Sequence, residues 1–443
     1  MFTSKNIYEI EESKLTENKI YKDKELISLL KKYKIIKENI NNDLIVKFVG
    51  LVTYKDYIIY FLPKIYDKVV DSELSLKVKL ILDILKKYAS KKVNFVDGEY
   101  LNLYEDRYPV SNLALANFII DDYIEYNYWQ DEIHKENIGQ TNIDWQLTVG
   151  KLYPIISDES PIYTNFISVN NKYNEESKLY RIYMRTLNIC FENYADILQQ
   201  SSYSLDESDF DLDIVEICEI LLNKINSTYK DRELAIFKAI YSMWVKRLRG
   251  ETENFSLYGT TSFNLIWQKG CEYFFEDMKS QLDIKFSKPI WIDNNFRKCE
   301  GYSVNPDIIT VIERNLILLD AKYYNISFKD IDGSISVSNN PGVEDIIKQY
   351  IYQIELDKEN KYTDYKKYNI FLFPTNFNEK NKMYSIFGGV TIDYFDYKPI
   401  INVYMSLENI FYYYVKNIPS DKKMILNLLS DIDEFYLIKS YLL

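Results

Sequence analysis

The spacing of hydrophobic and polar positions changes along the chain, and each change predicts a different kind of structure. Two apolar, β-rich runs in residues 45–66 flank a polar turn at residues 54–57, a pattern that predicts a β-hairpin. Leucines in residues 72–89 recur near a helical period, which predicts an amphipathic helix. Residues 175–250 favour helices, as does the charged stretch 1–45, whereas helices and β-rich runs are mixed after residue 255.

These patterns predict a mixed α/β (α+β) protein with three domains. The length of 443 residues agrees with that number. We expect a β-containing N-terminal domain in residues 1–135, a mainly helical middle region in 136–254 and a mixed C-terminal domain in 255–443.

Composition excludes several classes of enzyme. His134 is the single histidine, so neither a His-rich zinc site nor a nuclease that depends on several histidines can be built. The polar sequence around His134 predicts a solvated position on a loop or helix. The net charge of −12 argues against nonspecific coating of nucleic acid and leaves room for a local basic groove.

Cysteine usage and hydropathy bear on the compartment. The four cysteines form no C-x-x-C motif, which is typical of reduced core thiols in a cytoplasmic protein. No uninterrupted apolar run approaches the roughly 18 residues that a membrane helix needs. We therefore expect a cytoplasmic protein with no membrane partner.

The window most informative about chemistry is residues 303–324. An apolar run follows Asp307, a polar turn occupies residues 313–315, and a second apolar run ends at Asp320. In a hairpin, Asp307 and Asp320 come to the same end of the sheet. Because side chains alternate along a strand, Asp320 and Lys322 share a face at roughly 7 Å.

Two carboxylates held about 5 Å apart repel each other by about 3 kcal/mol at an effective dielectric constant of 20. A divalent cation removes that repulsion, and Mg²⁺ favours one or two carboxylates together with water and phosphate oxygens. Such an ion polarises a phosphodiester and lowers the pKa of a bound water. Lys322 could orient or deprotonate this water and stabilise the developing charge.

Pro306-Asp307 followed by Asp320-Ala321-Lys322 resembles the PD-(D/E)xK nuclease motif. The resemblance implies that residues 255–443 form a restriction-endonuclease-like domain. It also implies that Asp307, Asp320 and the Ala321 carbonyl bind Mg²⁺, for which Mn²⁺ is a possible substitute, and that Lys322 is catalytic.

The motif family usually adds an acidic residue on an upstream helix. Trp267-Gln268 stands where relatives have Trp-Glu. Glu272 lies one helical turn further on and is the favoured replacement, as a catalytic and metal-binding carboxylate. Glu276 is the other candidate, and a solvated helix face is the alternative for both.

A later run, VEDIIKQYIYQIEL, resembles the Gln/Tyr helix that often lies behind such a site. Lys348 or Gln349 could contact a DNA phosphate from this helix, and ordinary amphipathic packing is the alternative. Tyr352 lies on the same predicted helix.

The resemblance extends beyond one domain. Residues 45–66, the segment NIDWQLTV and the segment YGTTSF resemble the LlaJI-type restriction endonuclease family, which is related to the McrC subunits of McrBC-like systems. That family implies a double-stranded DNA substrate, a separate McrB-like AAA+ GTPase and an N-terminal region that docks on this motor.

The chain itself has no P-loop. Its single Gly-Lys pair, Gly150-Lys151, is preceded by Trp145 where the motif needs glycine and followed by Leu152 where it needs Ser or Thr. Any nucleotide-driven motor must therefore be a partner.

The leading hypothesis is a Mg²⁺-dependent DNA endonuclease that forms the cleaving subunit of a phage-defence restriction system. A second is an assembly subunit that stimulates the motor and has lost cleavage, which the glutamine at position 268 would fit. A third is a glycosidase using Asp307 and Asp320, against which Lys322 and the low Gly and Trp content argue weakly.

Overall fold

The computed structural model describes most of the chain in two compact units. The described residues are 5–16, 18–66, 71–92, 112–127, 132–137, 143–157, 160–171, 177–198, 211–249, 255–282, 284, 286–301, 305–331, 334–377, 379 and 381–440. Unit 1 comprises residues 1–52, 56–92 and 259–443, and unit 2 comprises residues 53–55 and 93–258. The division differs from the three predicted segments because the N-terminal residues belong with the C-terminal ones, and the three-domain assignment stays a prediction.

The first elements are short strands and two helices. They are β1 (Lys5–Ile10), a 3-10 turn (Lys19–Lys22), α1 (Lys24–Lys32), β2 (Ile36–Glu38), β3 (Leu44–Val46), β4 (Val49–Tyr54), β5 (Tyr57–Leu62) and α2 (Asp71–Lys92). The predicted hairpin is present as β4 and β5, with Lys55 in the left-handed region at φ 52°. The helical expectation for residues 1–45 is partly wrong, because β1 pairs in parallel with β5, a partner distant in sequence.

Most of the described residues of unit 2 are helical, and three of its helices lie in residues 175–250, where the sequence favours helices. Its elements are α3 (Asn112–Tyr126), β6 (Glu132–Asn137), α4 (Trp145–Lys151), β7 (Ile155–Ser157), β8 (Ser160–Ile162), β9 (Phe166–Asn171), α5 (Lys178–Tyr194), α6 (Ile214–Ser227) and α7 (Asp231–Leu248). Asp122 of α3 is buried and accepts two hydrogen bonds from Arg232 of α7, at 2.8 and 2.9 Å. This charge-assisted pair joins two of the helices.

The remaining elements follow unit 2 in the chain, and all but the first four residues of β10 belong to unit 1. They are β10 (Phe255–Thr260), α8 (Phe263–Phe274), β11 (Ile290–Ile292), β12 (Lys298–Glu300), β13 (Ile308–Ile312), β14 (Asn315–Ala321), β15 (Ser327–Ile331), β16 (Ser334–Ser338), α9 (Val343–Asp357), a 3-10 turn (Asn360–Tyr362), β17 (Lys366–Thr375), β18 (Tyr384–Val390), β19 (Ile400–Ser406), α10 (Leu407–Lys416) and α11 (Lys422–Ser440). The prediction of a mixed α/β protein is confirmed.

A five-stranded sheet with the order β13-β14-β17-β19-β18 is the centre of this part. The two edge strands run antiparallel to their neighbours, whereas β14, β17 and β19 are parallel. Parallel neighbours need a crossover connection, and α9 supplies it between β14 and β17. Strand β14 is buried almost throughout, which explains why its sequence is a nearly continuous apolar run.

Alternation along β14 decides which side chains face α9. Leu316 and Leu318 pack with Tyr352 and Leu356 of α9 in one hydrophobic cluster. Because side chains alternate, Asp320 continues the face of Leu316 and Leu318. The Asp320 side chain therefore projects from the sheet on the side that α9 covers.

Two expectations from composition need correction. His134 lies in strand β6, where it pairs with Val169 of β9, so the prediction of a loop or helix is wrong. The sequence did not reveal this strand because it contains few apolar residues. Cys190, Cys218 and Cys271 are buried free thiols as expected, but Cys299 is exposed. Within the described part of the chain, no helix has both the length and the apolar character of a membrane span.

Candidate active site

The turn between β13 and β14 brings two acidic residues to one end of the sheet. Ile308 pairs with Leu319, so Asp307 and Asp320 lie at the open end of the hairpin, as the sequence pattern predicts. The backbone N–H of Ala321 donates a hydrogen bond to Asp307 Oδ2 at 3.0 Å. We call Asp307 and Asp320 the carboxylate pair.

The carboxylate pair is short of compensating charge. Burial, followed by the charge and hydrogen bond of Asp320, raises the pKa of Asp307 to about 7. The Ala321 N–H and the Lys322 charge act in the opposite direction and do not cancel this effect. Two neighbouring carboxylates repel each other when both are charged, and a bound cation would offset that repulsion.

Lys322 lies between two carboxylates. Its Nζ is 3.0 Å from Asp320 Oδ2 and 2.9 Å from Asp345 Oδ1. Burial lowers the pKa of Lys322, but Asp320 and Asp345 outweigh burial and raise it above its ordinary value. Lys322 is therefore an ammonium group at neutral pH, and in this arrangement it can stabilise negative charge but cannot accept a proton.

Asp345 was missed by the sequence analysis. It lies in the first turn of α9 beside Glu344, where acidic residues commonly interact with the helix dipole. An acidic residue in a first turn is therefore expected without any role in a site. The sequence alone does not show which of the two acids faces Lys322.

Helix α9 also supplies Tyr352, which adjoins the acidic residues. The Tyr352 hydroxyl donates to the backbone oxygen of Asn305 at 2.9 Å, two residues before Asp307. Burial and then the charges of Asp320, Asp307 and Asp345 raise the pKa of Tyr352. The predicted Gln/Tyr helix thus lies behind the carboxylate pair.

The two phosphate-contact candidates on α9 have different surroundings. Gln349 is fully buried, and its Nε2 donates to Asn369 Oδ1 of β17 at 2.8 Å. Its Oε1 is buried with no hydrogen-bond partner in the described part of the chain. Lys348 is exposed. Gln349 joins the helix to the sheet, and a phosphate contact by either residue stays a prediction.

The hydrogen-bond partners of Glu272 lie outside the carboxylate pair. It accepts hydrogen bonds from Gln268 at 3.1 Å and from Lys269 at 2.6 Å. Together with Glu276 and Asp277 it lines a cavity of about 490 Å³. Among the described residues, no group of three or more His, Cys, Asp or Glu side chains is arranged to hold a metal ion. The role of Glu272 as a third ligand is still a prediction.

A short segment after α8 fixes the backbone around Asp307. Asp277 Oδ1 accepts from the N–H of Ile309 at 3.0 Å, and the Met278 N–H donates to the Ile309 carbonyl at 2.8 Å. Lys279 Nζ donates to the carbonyl oxygens of Pro306 and Asp307. The sequence gives no sign of these contacts, because they join residues about thirty positions apart and each of them involves a backbone group.

The donor set of the carboxylate pair fits a hard divalent cation. Carboxylate oxygens suit Mg²⁺ and Mn²⁺, and Mg²⁺ is commonly held by one or two protein carboxylates with water and phosphate completing the shell. A third protein carboxylate is therefore not needed for the site to accept this ion.

Comparison with known proteins identifies the family. The sequence model of the LlaJI restriction endonuclease family matches residues 48–408, so the chain belongs to this family, as the resemblance predicts. It is 30% identical over 408 residues to the type II restriction enzyme BsuMI component YdjA of Bacillus subtilis strain 168, covering 88% of this chain and 85% of that protein.

Two solved structures also align with the chain. One is the assembly of Thermococcus gammatolerans McrB AAA+ hexamers with bound McrC, where 94% of this chain and 100% of that chain are covered at 12% identity and a TM-score of 0.37. The other is the McrBC complex of the same organism, with 64% and 90% covered at 11% identity and a TM-score of 0.27.

Proposed function

We propose that this chain is a Mg²⁺-dependent endodeoxyribonuclease of the PD-(D/E)xK type and the cleaving subunit of a phage-defence restriction system in the cytoplasm. The observation that carries the proposal is the carboxylate pair, formed by half-buried Asp307 and buried Asp320, with the Lys322 ammonium beside it. Membership of a restriction endonuclease family supports the DNA substrate.

The chain's residues have separable roles in this proposal. Asp307 and Asp320 would hold the metal ion, with the Ala321 carbonyl as a further ligand. When bound, the ion would polarise the phosphodiester and lower the pKa of the attacking water. Lys322 stabilises the negative charge that develops on the phosphoryl oxygens, and Asp345 holds the Lys322 ammonium at the carboxylate pair.

A partner is part of the proposal. The chain lacks a P-loop, and its B. subtilis relative is described as one component of a restriction enzyme. We propose a McrB-like AAA+ GTPase as the motor and residues 1–135 as the region that docks on it.

The decisive experiment is a cleavage assay on duplex DNA with Mg²⁺, with and without the reconstituted motor and nucleotide. Asp320→Ala and Lys322→Ala should abolish cleavage while the fold and motor binding persist. Lys329→Ala is the control, because Lys329 is exposed and lies in the next strand, β15. Normal cutting by both active-site variants would overturn the assignment.

A second candidate is an assembly subunit that stimulates the motor without cutting DNA. It is favoured by Gln268, which replaces an acid and donates to Glu272, and by the lack of a three-carboxylate cluster among the described residues. This candidate predicts full stimulation of GTP hydrolysis and no cleavage by the unaltered chain with any divalent metal. The glycosidase alternative is not proposed, because the family is one of restriction endonucleases.

A further inference from the structure

An exposed β-arm leads into the carboxylate pair. We use the term arm for residues 286–301, which contain the antiparallel strands β11 and β12. Every residue from 287 to 300 is exposed, so neither face of this ribbon is covered by the described part of the chain. Asp307 follows the arm by six residues.

The arm displays large apolar side chains to solvent. The exposed fractions are 61% for Ile290, 67% for Trp291, 59% for Ile292 and 86% for Phe296. A two-stranded hairpin is marginally stable at best when alone in water, and clustered exposed apolar groups indicate an interaction site. The arm therefore has the surface of a binding element.

The tip of the arm is ordered by its own hydrogen bonds. Asp293 Oδ1 accepts from the N–H groups of Asn295 and Arg297, at 2.9 and 2.8 Å, and its Oδ2 pairs with Arg297 Nε at 2.7 Å. Phe296 lies in this turn in the left-handed region, at φ 61°. That conformation is unfavourable for a bulky residue and favours Asn or Gly. The turn thus presents an aromatic ring at a position where local stability would prefer another residue.

The base of the arm is anchored next to the active site. The Ser287 N–H and hydroxyl donate to Glu355 Oε2 of α9, at 3.2 and 2.6 Å. The Phe286 ring packs edge-on against Tyr352 with centroids 5.7 Å apart, and Tyr352 adjoins the carboxylate pair. Because α9 carries both this anchor and Asp345, the arm and the active site share one rigid support.

From these observations we infer that the arm inserts into a groove of the duplex beside the cleavage position, with Phe296 as its leading aromatic group. The inference rests on the proposed DNA cleavage. A two-stranded ribbon fits the major groove, and apolar side chains can wedge between base steps. The arm has three cationic and two acidic side chains in a chain whose net charge is −12. Glu300 pairs with Lys288 and Asp293 pairs with Arg297, so the arm keeps one excess positive charge, at Lys298, and suits a polyanion better than the acidic chain as a whole does.

Binding of the full-length chain to a fluorescently labelled duplex, measured by anisotropy in EDTA so that no cleavage occurs, is the first test. Phe296→Asn should weaken binding at least about fivefold, the scale of losing one base–aromatic contact. Tyr394→Asn is the matched control, because Tyr394 belongs to the same unit and is also 86% exposed. Asn suits a left-handed φ, so the melting temperature of Phe296→Asn should not fall, and weaker binding would not reflect unfolding.

Cys299 offers a second measurement on the arm itself. It is exposed and lies opposite Trp291, whereas the other three cysteines are buried, so a maleimide should modify Cys299 first. Saturating duplex should slow this modification, with the site verified by peptide mapping. Equal affinities for Phe296→Asn and Tyr394→Asn, or a Cys299 rate that duplex does not change, would overturn the inference. So would protection that appears without DNA as protein concentration rises, because the partner would then be a second copy.

The two proposals can fail separately. If the chain binds duplex through the arm but does not cut it with Mg²⁺ and the motor, the arm inference stands and the endonuclease proposal fails. If the Phe296→Asn variant cuts normally and binds duplex as tightly as the parent chain, the endonuclease proposal stands and the arm inference fails.

Discussion

Two neighbouring hairpins of unit 1 have opposite environments. The hairpin β13–β14 is buried in the five-stranded sheet, and its apolar side chains pack under α9. The hairpin β11–β12, which precedes it in the chain, is exposed on both faces although it carries Trp291, Phe296 and two isoleucines. Hydrophobic sequence is common to both, so composition does not decide burial. The buried hairpin fixes the position of charged groups, and the exposed one offers apolar surface to a partner.

The largest difference between the hairpins should be in stability. Leu318→Ala removes a buried side chain from the β14 cluster and should cost about 2–5 kcal/mol of unfolding free energy. Ile292→Ala, at a position 59% exposed, should change it by less than about 0.5 kcal/mol. Chemical denaturation measures both. Comparable losses would mean that the arm is packed in solution and that the contrast is wrong.

The buried hairpin should also make stability depend on pH. The folded-state pKa of Asp307 is about 7, above the ordinary value of 3.8, so the folded chain keeps a proton that the unfolded chain releases between these values. Without metal, stability should therefore fall as pH rises through this window. At about 1.4 kcal/mol per pKa unit, the loss reaches a few kcal/mol.

Asp307→Asn should remove this pH dependence. The variant should be more stable than the parent chain near pH 8 and about equal to it near pH 4, in melts without metal. Asp364→Asn, at an exposed position, serves as the control. Mg²⁺ should raise the melting temperature of the parent and of the control but not of Asp307→Asn. An equal rise in all three chains would contradict metal binding at the carboxylate pair.

A smaller effect is expected from the acid that holds Lys322. Asp345→Asn should lower the cleavage rate about 10–100-fold, the usual loss when a residue that orients a metal-site group is changed. Asp345→Glu should restore part of the rate, and Mg²⁺ affinity should stay the same. Glu344→Gln is the matched control, because Glu344 lies in the same first turn of α9. Equal losses for both variants would point to the helix dipole instead.

The smallest effect compares the two turns. Phe296 and Glu313 both have left-handed backbones, at φ 61° and 55°. Replacing either by Asn should leave stability unchanged or raise it by up to about 1 kcal/mol. Only Phe296→Asn should weaken duplex binding. A loss of stability at Phe296 alone would indicate that its ring packs within the chain.

Much of the site could be predicted from local pattern. The apolar runs on both sides of the polar turn predicted the β13–β14 hairpin, and strand alternation predicted that Asp320 and Lys322 share a face. Glu272 was chosen by helical spacing from Gln268, and spacing correctly placed the two side chains in contact. Spacing along one helix does not report what the facing strand offers, so it gave no information on the distance to the carboxylate pair.

The sequence by itself determined the hairpin that carries Asp307 and Asp320, the helices α5, α6 and α7 and the family, because each can be recognised from short local patterns along the chain. Only the tertiary structure decided that Asp345 meets Lys322, that Lys279 holds the carbonyls of Pro306 and Asp307, and that the arm stays uncovered. The reason is that these features depend on which distant surfaces meet when the sheet and its helices pack, and hydrophobic periodicity records that a face is apolar without recording what covers it.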